Sequence, residues 1–259
     1  MSAAIRTELL KIRTTRLVLL LFGVAAGMTT LGAVLTAARG RVGGSDVPSL
    51  STAIGLRSVT SFTGFGLQLA LILGITVASG EFRHRTATDS YLDEPNRTRV
   101  LIAKALAAAT AGALLGLAIA AIATGVGLAF AAGKGYEVAL GAGTMARSAA
   151  GATLGAALLA TIGVGLGSLL RSQIAAIITG FLWVGAVEQI AGGISDSLAA
   201  YLPMTAASTM AGATRYGAMP PIPSGLDPLP FGAVAVLLAA IAALMATVAA
   251  RTTVQQDVT

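Results

Sequence analysis

Residues 101–132 read LIAKALAAATAGALLGLAIAAIATGVGLAFAA, with Lys104 the one charge in the stretch. At about 1.5 Å of rise per residue such a helix is about 48 Å long, against a hydrocarbon core about 30 Å thick that roughly 20 apolar residues cross. The run therefore reads as a membrane helix that either tilts strongly or projects its first turns, around Lys104, below the bilayer. Five more runs flank it, at about residues 17–38, 58–79, 149–170, 174–191 and 231–250. Strand-type alternation is not seen, so the expected fold is an all-α integral membrane protein with six transmembrane helices in one domain, residues 1–259.

Composition points the same way. Hydrophobic residues make up 55% and charged residues 11% of the 259, where soluble domains carry roughly 25% charged residues. Cysteine is absent, which excludes a disulfide framework, thiolate catalysis and cysteine-based metal sites. The net charge of +6 is not gathered into a soluble basic patch with interleaved aromatics, so no nucleic-acid partner is expected. The basic residues sit mainly at helix ends, where membrane lipid explains them. Arg6, Lys11, Arg13 and Arg16 precede the first run, which exceeds the roughly 7–15 residues of a secretory h-region and reads as an anchor. With both termini inside, inner segments hold eleven Lys and Arg and outer segments six, which favours cytoplasmic termini.

Between the fourth and fifth runs only Arg171, Ser172 and Gln173 remain, so those helices are expected as antiparallel neighbours. Residues 192–230 form the largest external segment. Its partly apolar first half, with Leu198, Tyr201, Leu202, Met204 and Met210 broken by Pro203, is expected to dip back as short re-entrant-type helices. Its second half, around Pro220, Pro221 and Pro223, is an extended connector. Glycine pairs at four-residue spacing, Gly23/Gly27, Gly112/Gly116 and Gly151/Gly155, fit close helix packing or a dimer seam. Chance spacing among 32 glycines fits them equally well.

The chemistry is sparse. No Gly-x-x-x-x-Gly-Lys-Ser/Thr loop surrounds Lys11, Lys104 or Lys134, so the chain is not expected to hydrolyse ATP. Gly163-Val164-Gly165-Leu166-Gly167 lies inside a membrane run, without the strand-turn-helix context of a dinucleotide fingerprint. His84 is the sole histidine and no run carries an Asp, so neither a metal site nor a catalytic constellation is expected. Two polar residues within the runs are candidate pathway or structural groups. Glu188 stands five residues after Trp183, and Gln68 lies near the middle of the second run. For Glu188 a functional role and an interfacial hydrogen bond both remain open.

The segment from Gly80 to Arg99 reads GEFRHRTATDSYLDEPNRTR. Ser79 is expected as the N-cap of a short surface helix, with Glu81 in its first turn and Pro95 at its end. Asp93 and Glu94 fall near that helix's C-terminus, where carboxylates oppose the dipole. They gain nothing from their own helix.

In this order Glu81, Phe82, Arg83, His84, Thr86, Pro95, Arg97 or Arg99, and Lys104 resemble the segment after the second span of the ABC-2 permeases, the membrane subunits of mainly bacterial ABC exporters. The basic amphipathic stretch Arg6 to Arg13, within residues 1–16, resembles the segment before that family's first span. Leu166 to Arg171, Trp183 to Glu188, and Tyr201-Leu202-Pro203 resemble later elements. Arg85 stands where the family often has Gly, and Asp93-Glu94 where it often has an apolar pair.

The resemblance implies a cytoplasmic coupling helix contacting a separate ABC ATPase subunit through Glu81, Phe82, Arg83, His84, Arg85, Thr86, Tyr91 and Leu92. It implies ATP and Mg bound by that partner, with no cofactor in this chain, and two permease copies enclosing the pathway as a homodimer. The expected place is the bacterial plasma membrane and the expected cargo an amphipathic or lipid-like compound moved outward by alternating access. A secondary transporter or channel is the first rival, and it lacks coupling charges near the midplane. A membrane-bound enzyme is the second, and it lacks the constellations named above.

Overall fold

The computed structural model describes residues 2–42, 45–84, 97–170, 172–214, 216, 222, 223 and 225–252. Helix α1 spans Ser2–Thr14 and α2 spans Arg16–Arg39. A two-residue antiparallel pairing follows, with Arg41 opposite Asp46 and Val42 opposite Ser45. Then come α3 (Ala53–Thr60), α4 (Gly64–His84), α5 (Arg97–Gly133) and α6 (Ala142–Leu170). The chain continues through α7 (Gln173–Ile194), the short α8 (Asp196–Ala199) and α9 (Pro203–Met210), and α10 (Phe231–Thr252). Among the described residues six segments are long and apolar enough to cross a membrane: α2, α3 with α4, α5, α6, α7 and α10. This is the build of a multi-pass, all-helical membrane protein.

Apolarity marks where a helix meets lipid, and the helices themselves run further. The fourth begins at Ala142, seven residues ahead of its apolar run, through Gly143, Thr144, Arg147 and Ser148. The third starts at Arg97 and is 37 residues long, or about 55 Å at 1.5 Å per residue. The second is not one rod. Its backbone breaks at Ser61–Thr63, where the Ser61 hydroxyl donates to the Arg57 carbonyl (2.5 Å) and Thr63 N–H to the Ser61 carbonyl (2.8 Å). Side-chain hydroxyls that take backbone partners bend helices in this way. At its other end the expectation for Ser79 fails. Ser79 does not cap a new helix, because α4 runs on to His84 and the buried Ser79 hydroxyl donates back to the Ile75 carbonyl (2.6 Å). A serine with that bond available one turn back has no need to leave the helix.

Burial separates interior from periphery. In the most apolar windows, 78% of the residues are buried in the second span and 56% in the fourth, against 22–33% in the other four. α4 and α6 are thus the centre, and α5, α7, α9 and α10 pack on α6. Lipid is as apolar as leucine, so close backbone approach and dispersion hold such helices together. A Cβ on Gly74 would meet the Ala160 carbonyl, and one on Gly163 the Leu71 carbonyl. The glycine pairs now divide. Gly112 and Gly116 lie on the Ala156 and Ala152 carbonyls of α6, and Gly151 lies on the Met210 carbonyl of α9. Gly23 and Gly27 meet nothing within 4 Å.

Helix α1 is joined to the bundle by charge. Glu8 and Lys104 are 6% and 5% exposed, with Lys104 Nζ 3.2 Å from Glu8 Oε2; Lys11 Nζ reaches Glu8 Oε1 at 2.8 Å. Thr15, in extended conformation, separates α1 from α2, and the Thr14 and Thr15 hydroxyls donate to the Leu10 and Lys11 carbonyls at the end of α1. A buried ion pair contributes little net stability over apolar packing but penalises every arrangement that separates it. Glu8 therefore sets where α1 lies against the first turns of α5.

Candidate functional site

Side-chain hydrogen bonds from the second and fifth spans converge on α9, the eight-residue helix between the fifth and sixth spans, and on the turn that follows it. Pro203 opens it at the position where a missing N–H costs nothing. Leu202, the residue before it, has no side-chain acceptor to offer the next two amides. Glu188 supplies one from the fifth span. Its Oε1 accepts from Met204 N–H (2.9 Å), and its Oε2 from Thr205 N–H (3.0 Å) and the Thr205 hydroxyl (3.0 Å). A carboxylate at a helix N-terminus satisfies otherwise orphaned donors and meets the positive end of the dipole.

The fifth span is locally rewound to deliver that carboxylate. Residues Trp183–Val187 form a π turn, with Glu188 N–H bonded to the Trp183 carbonyl five residues back. In an α-helix a residue five places on lies about 140° around the axis. The wider π turn brings the two side chains together, and Trp183 Nε1 donates to Glu188 Oε1 at 3.2 Å. Glu188, 2% exposed, thus accepts four hydrogen bonds, from Trp183 of its own span and from Met204 and Thr205 of α9.

The other end of α9 is held from the second span. Gly212, at φ +84°, closes the helix in the left-handed conformation, and Ala213 N–H returns to the Ser208 carbonyl. Arg57 Nε donates to the Gly212 carbonyl at 3.0 Å, and the Ser58 and Thr214 hydroxyls bond at 2.8 Å. A side chain on Gly212 would strike the Ser148 hydroxyl. An anion at the first turn and a cation past the last both complement the dipole of α9. Beside this C-terminal end opens a cavity of about 630 Å³ lined by Arg57 and Arg147.

Of the sequence candidates, Glu188 is central to this arrangement. Gln68 is half-buried in α4 and makes no side-chain hydrogen bond to a described residue. Glu81, Phe82, Arg83 and His84 belong to the backbone of α4, while their side chains, and Arg85, Thr86, Tyr91 and Leu92 entirely, lie outside the described residues. Sequence reasoning missed Glu8, Lys104, Arg57 and Arg147 as positioned groups. For the first two a signal existed: a single acid in a basic amphipathic helix and a single lysine in a 32-residue apolar run. No family model and no curated protein matches the chain.

Proposed function

We propose that the chain is the membrane-spanning permease subunit of an ATP-driven exporter of the ABC-2 type, working as a pair with a separate ATPase. The observation that carries this reading is the placement of α1. The Glu8–Lys104 contact puts this basic helix beside the start of the third span, at the bundle end where α4 finishes at His84 and α5 starts at Arg97. A partner pushing on residues 85–96 would act on α4, α5 and α1 together. The carrier α4 is the most buried span, so motion of its end is passed directly to α6. Helix α9 fits the re-entrant element of such permeases, with its polar termini shielded by protein as apolar surroundings demand.

In this reading residues 81–92 form the coupling element in the bacterial cytoplasm, and ATP and Mg are bound by the partner. The lipid-exposed faces of α2 and α7, with Leu19, Leu20, Leu31, Ile178, Leu182 and Ile190 outward, leave room for a second copy. Few charges border the interior, which favours an amphipathic cargo over simple ions. The test is co-purification in detergent with an ATPase of the host that carries a P-loop. Charge reversal at Glu81 and Arg83 together is expected to abolish the association; retention of the ATPase by that variant would overturn the assignment.

A further inference from the structure

The cavity at the C-terminal end of α9 has a composition that the permease reading does not use. It is built by the first turns of three spans: Arg57 on α3, Thr144, Arg147 and Ser148 on α6, and Phe231 on α10, with Thr209 and Met210 of α9 as its inner wall. All lie at the bundle end opposite α1, where the apolar run of α10 begins. Two guanidinium groups face this space, and among the described residues neither has a carboxylate within ion-pair distance.

Both arginines are held in place by other means. Arg57 spends its Nε on the Gly212 carbonyl, and its terminal nitrogens have no partner among the described residues. The Arg147 guanidinium sits over the Phe231 ring, 5.7 Å from its centroid, a geometry that orients the cation without neutralising it. Hydroxyls of Thr144 and Ser148 add donors, while Leu229, Pro230 and Phe231 give an apolar wall. A volume of about 630 Å³ lies within the roughly 300–1,000 Å³ of small-molecule sites.

We propose that this cavity binds a phosphate-bearing amphiphile, with the phosphoryl oxygens on Arg57 and Arg147 and the apolar part along Leu229 and Phe231. Guanidinium forks match phosphate oxygens two by two, and two cations with no carboxylate partner among the described residues give this rim a charge that an anion complements. The chemistry is that of an anionic phospholipid headgroup or of a free phosphate compound, and bound phosphate would also brace Arg57 against the end of α9. The proposal stands whether or not the chain works with an ATPase.

Native mass spectrometry and a binding titration on the purified full chain in maltoside detergent would test it. The probes are dioctanoyl phosphatidylglycerol, dioctanoyl phosphatidylcholine and inorganic phosphate. Wild type is expected to bind phosphatidylglycerol in preference to the zwitterionic lipid, and Arg147→Gln to weaken this at least about tenfold, the scale of one lost charge-assisted contact. Arg57→Gln should act in the same direction, while Arg16→Gln, which removes the same charge at the opposite end, should not. If inorganic phosphate displaces the lipid at millimolar concentration the source is a soluble phosphate compound; if it does not, the source is the lipid headgroup. Arg57 also braces α9, so Arg147→Gln decides should that variant misfold. Equal binding of phosphatidylglycerol by wild type, Arg147→Gln and Arg16→Gln would overturn the proposal.

Discussion

Replacing Glu188 with alanine removes the acceptor for two backbone amides, one hydroxyl and the Trp183 indole at once. A buried donor left unpaired costs about 1–3 kcal/mol, so the Met204 and Thr205 amides alone account for about 2–6 kcal/mol. Loss of the anion at the helix N-terminus adds about 0.3–1 kcal/mol. Taking the low side, the loss is at least about 2 kcal/mol, or at roughly 2–4 °C per kcal/mol for a chain of this size a fall in melting temperature of at least about 4 °C. Trp183 is the only tryptophan, so intrinsic fluorescence during heating reports on this contact and on nothing else of its kind. Glu188→Gln keeps one acceptor oxygen but turns an amino group toward donors, and about half the loss is expected. A Glu188→Ala protein that melts within about 1 °C of wild type would refute the capping of α9 by the fifth span.

Substituting Gly74 with valine drives a side chain into the Ala160 backbone, and detergent-extracted protein should elute as aggregate; Gly27→Ala, on an open face, should elute as wild type and gain helix propensity of about 0.5–1 kcal/mol. Glu8→Ala removes the carboxylate that ties α1 to the buried Lys104, and limited proteolysis should then release residues 1–14. The double variant Glu8→Leu with Lys104→Leu should restore protection, since apolar replacement of a whole buried pair is tolerated. Gly212→Ala must hold φ near +84° against the Ser148 hydroxyl. A cost of about 1–2 kcal/mol for that conformation should appear as a drop of a few degrees in melting temperature, larger if Ser148 cannot move.

Six spans were legible because lipid imposes one requirement, an apolar length, that local sequence satisfies without reference to partners. Helix ends were less legible. Residues such as Arg147 and Ser148 continue a helix beyond the lipid, and Ser79 sits inside one, because backbone bonding and apolarity end at different places. Glu188 stood out as a lone carboxylate in an apolar run, yet its partners Met204 and Thr205 lie beyond the end of its span. The π turn that aims it leaves no mark in the spelling Trp183-Val184-Gly185-Ala186-Val187. Arg57 and Gly212 are 155 positions apart, and nothing local to either residue announces the pairing. The glycine pairs show the same limit: identical spacing at Gly23/Gly27 and Gly112/Gly116 gave one open face and one tight seam, decided by which helix lies opposite.

That residues 80–100 face the compartment holding ATP, with the α9 end of the bundle on the other side, is tested most directly by single-cysteine labelling. The chain contains no cysteine of its own, so each introduced thiol is unambiguous. In intact cells an impermeant maleimide should leave Ser90→Cys unlabelled until the membrane is opened, and should label Ser197→Cys at once. Labelling of Ser90→Cys from outside, with Ser197→Cys protected, would contradict the orientation and with it any drive from a cytoplasmic ATPase.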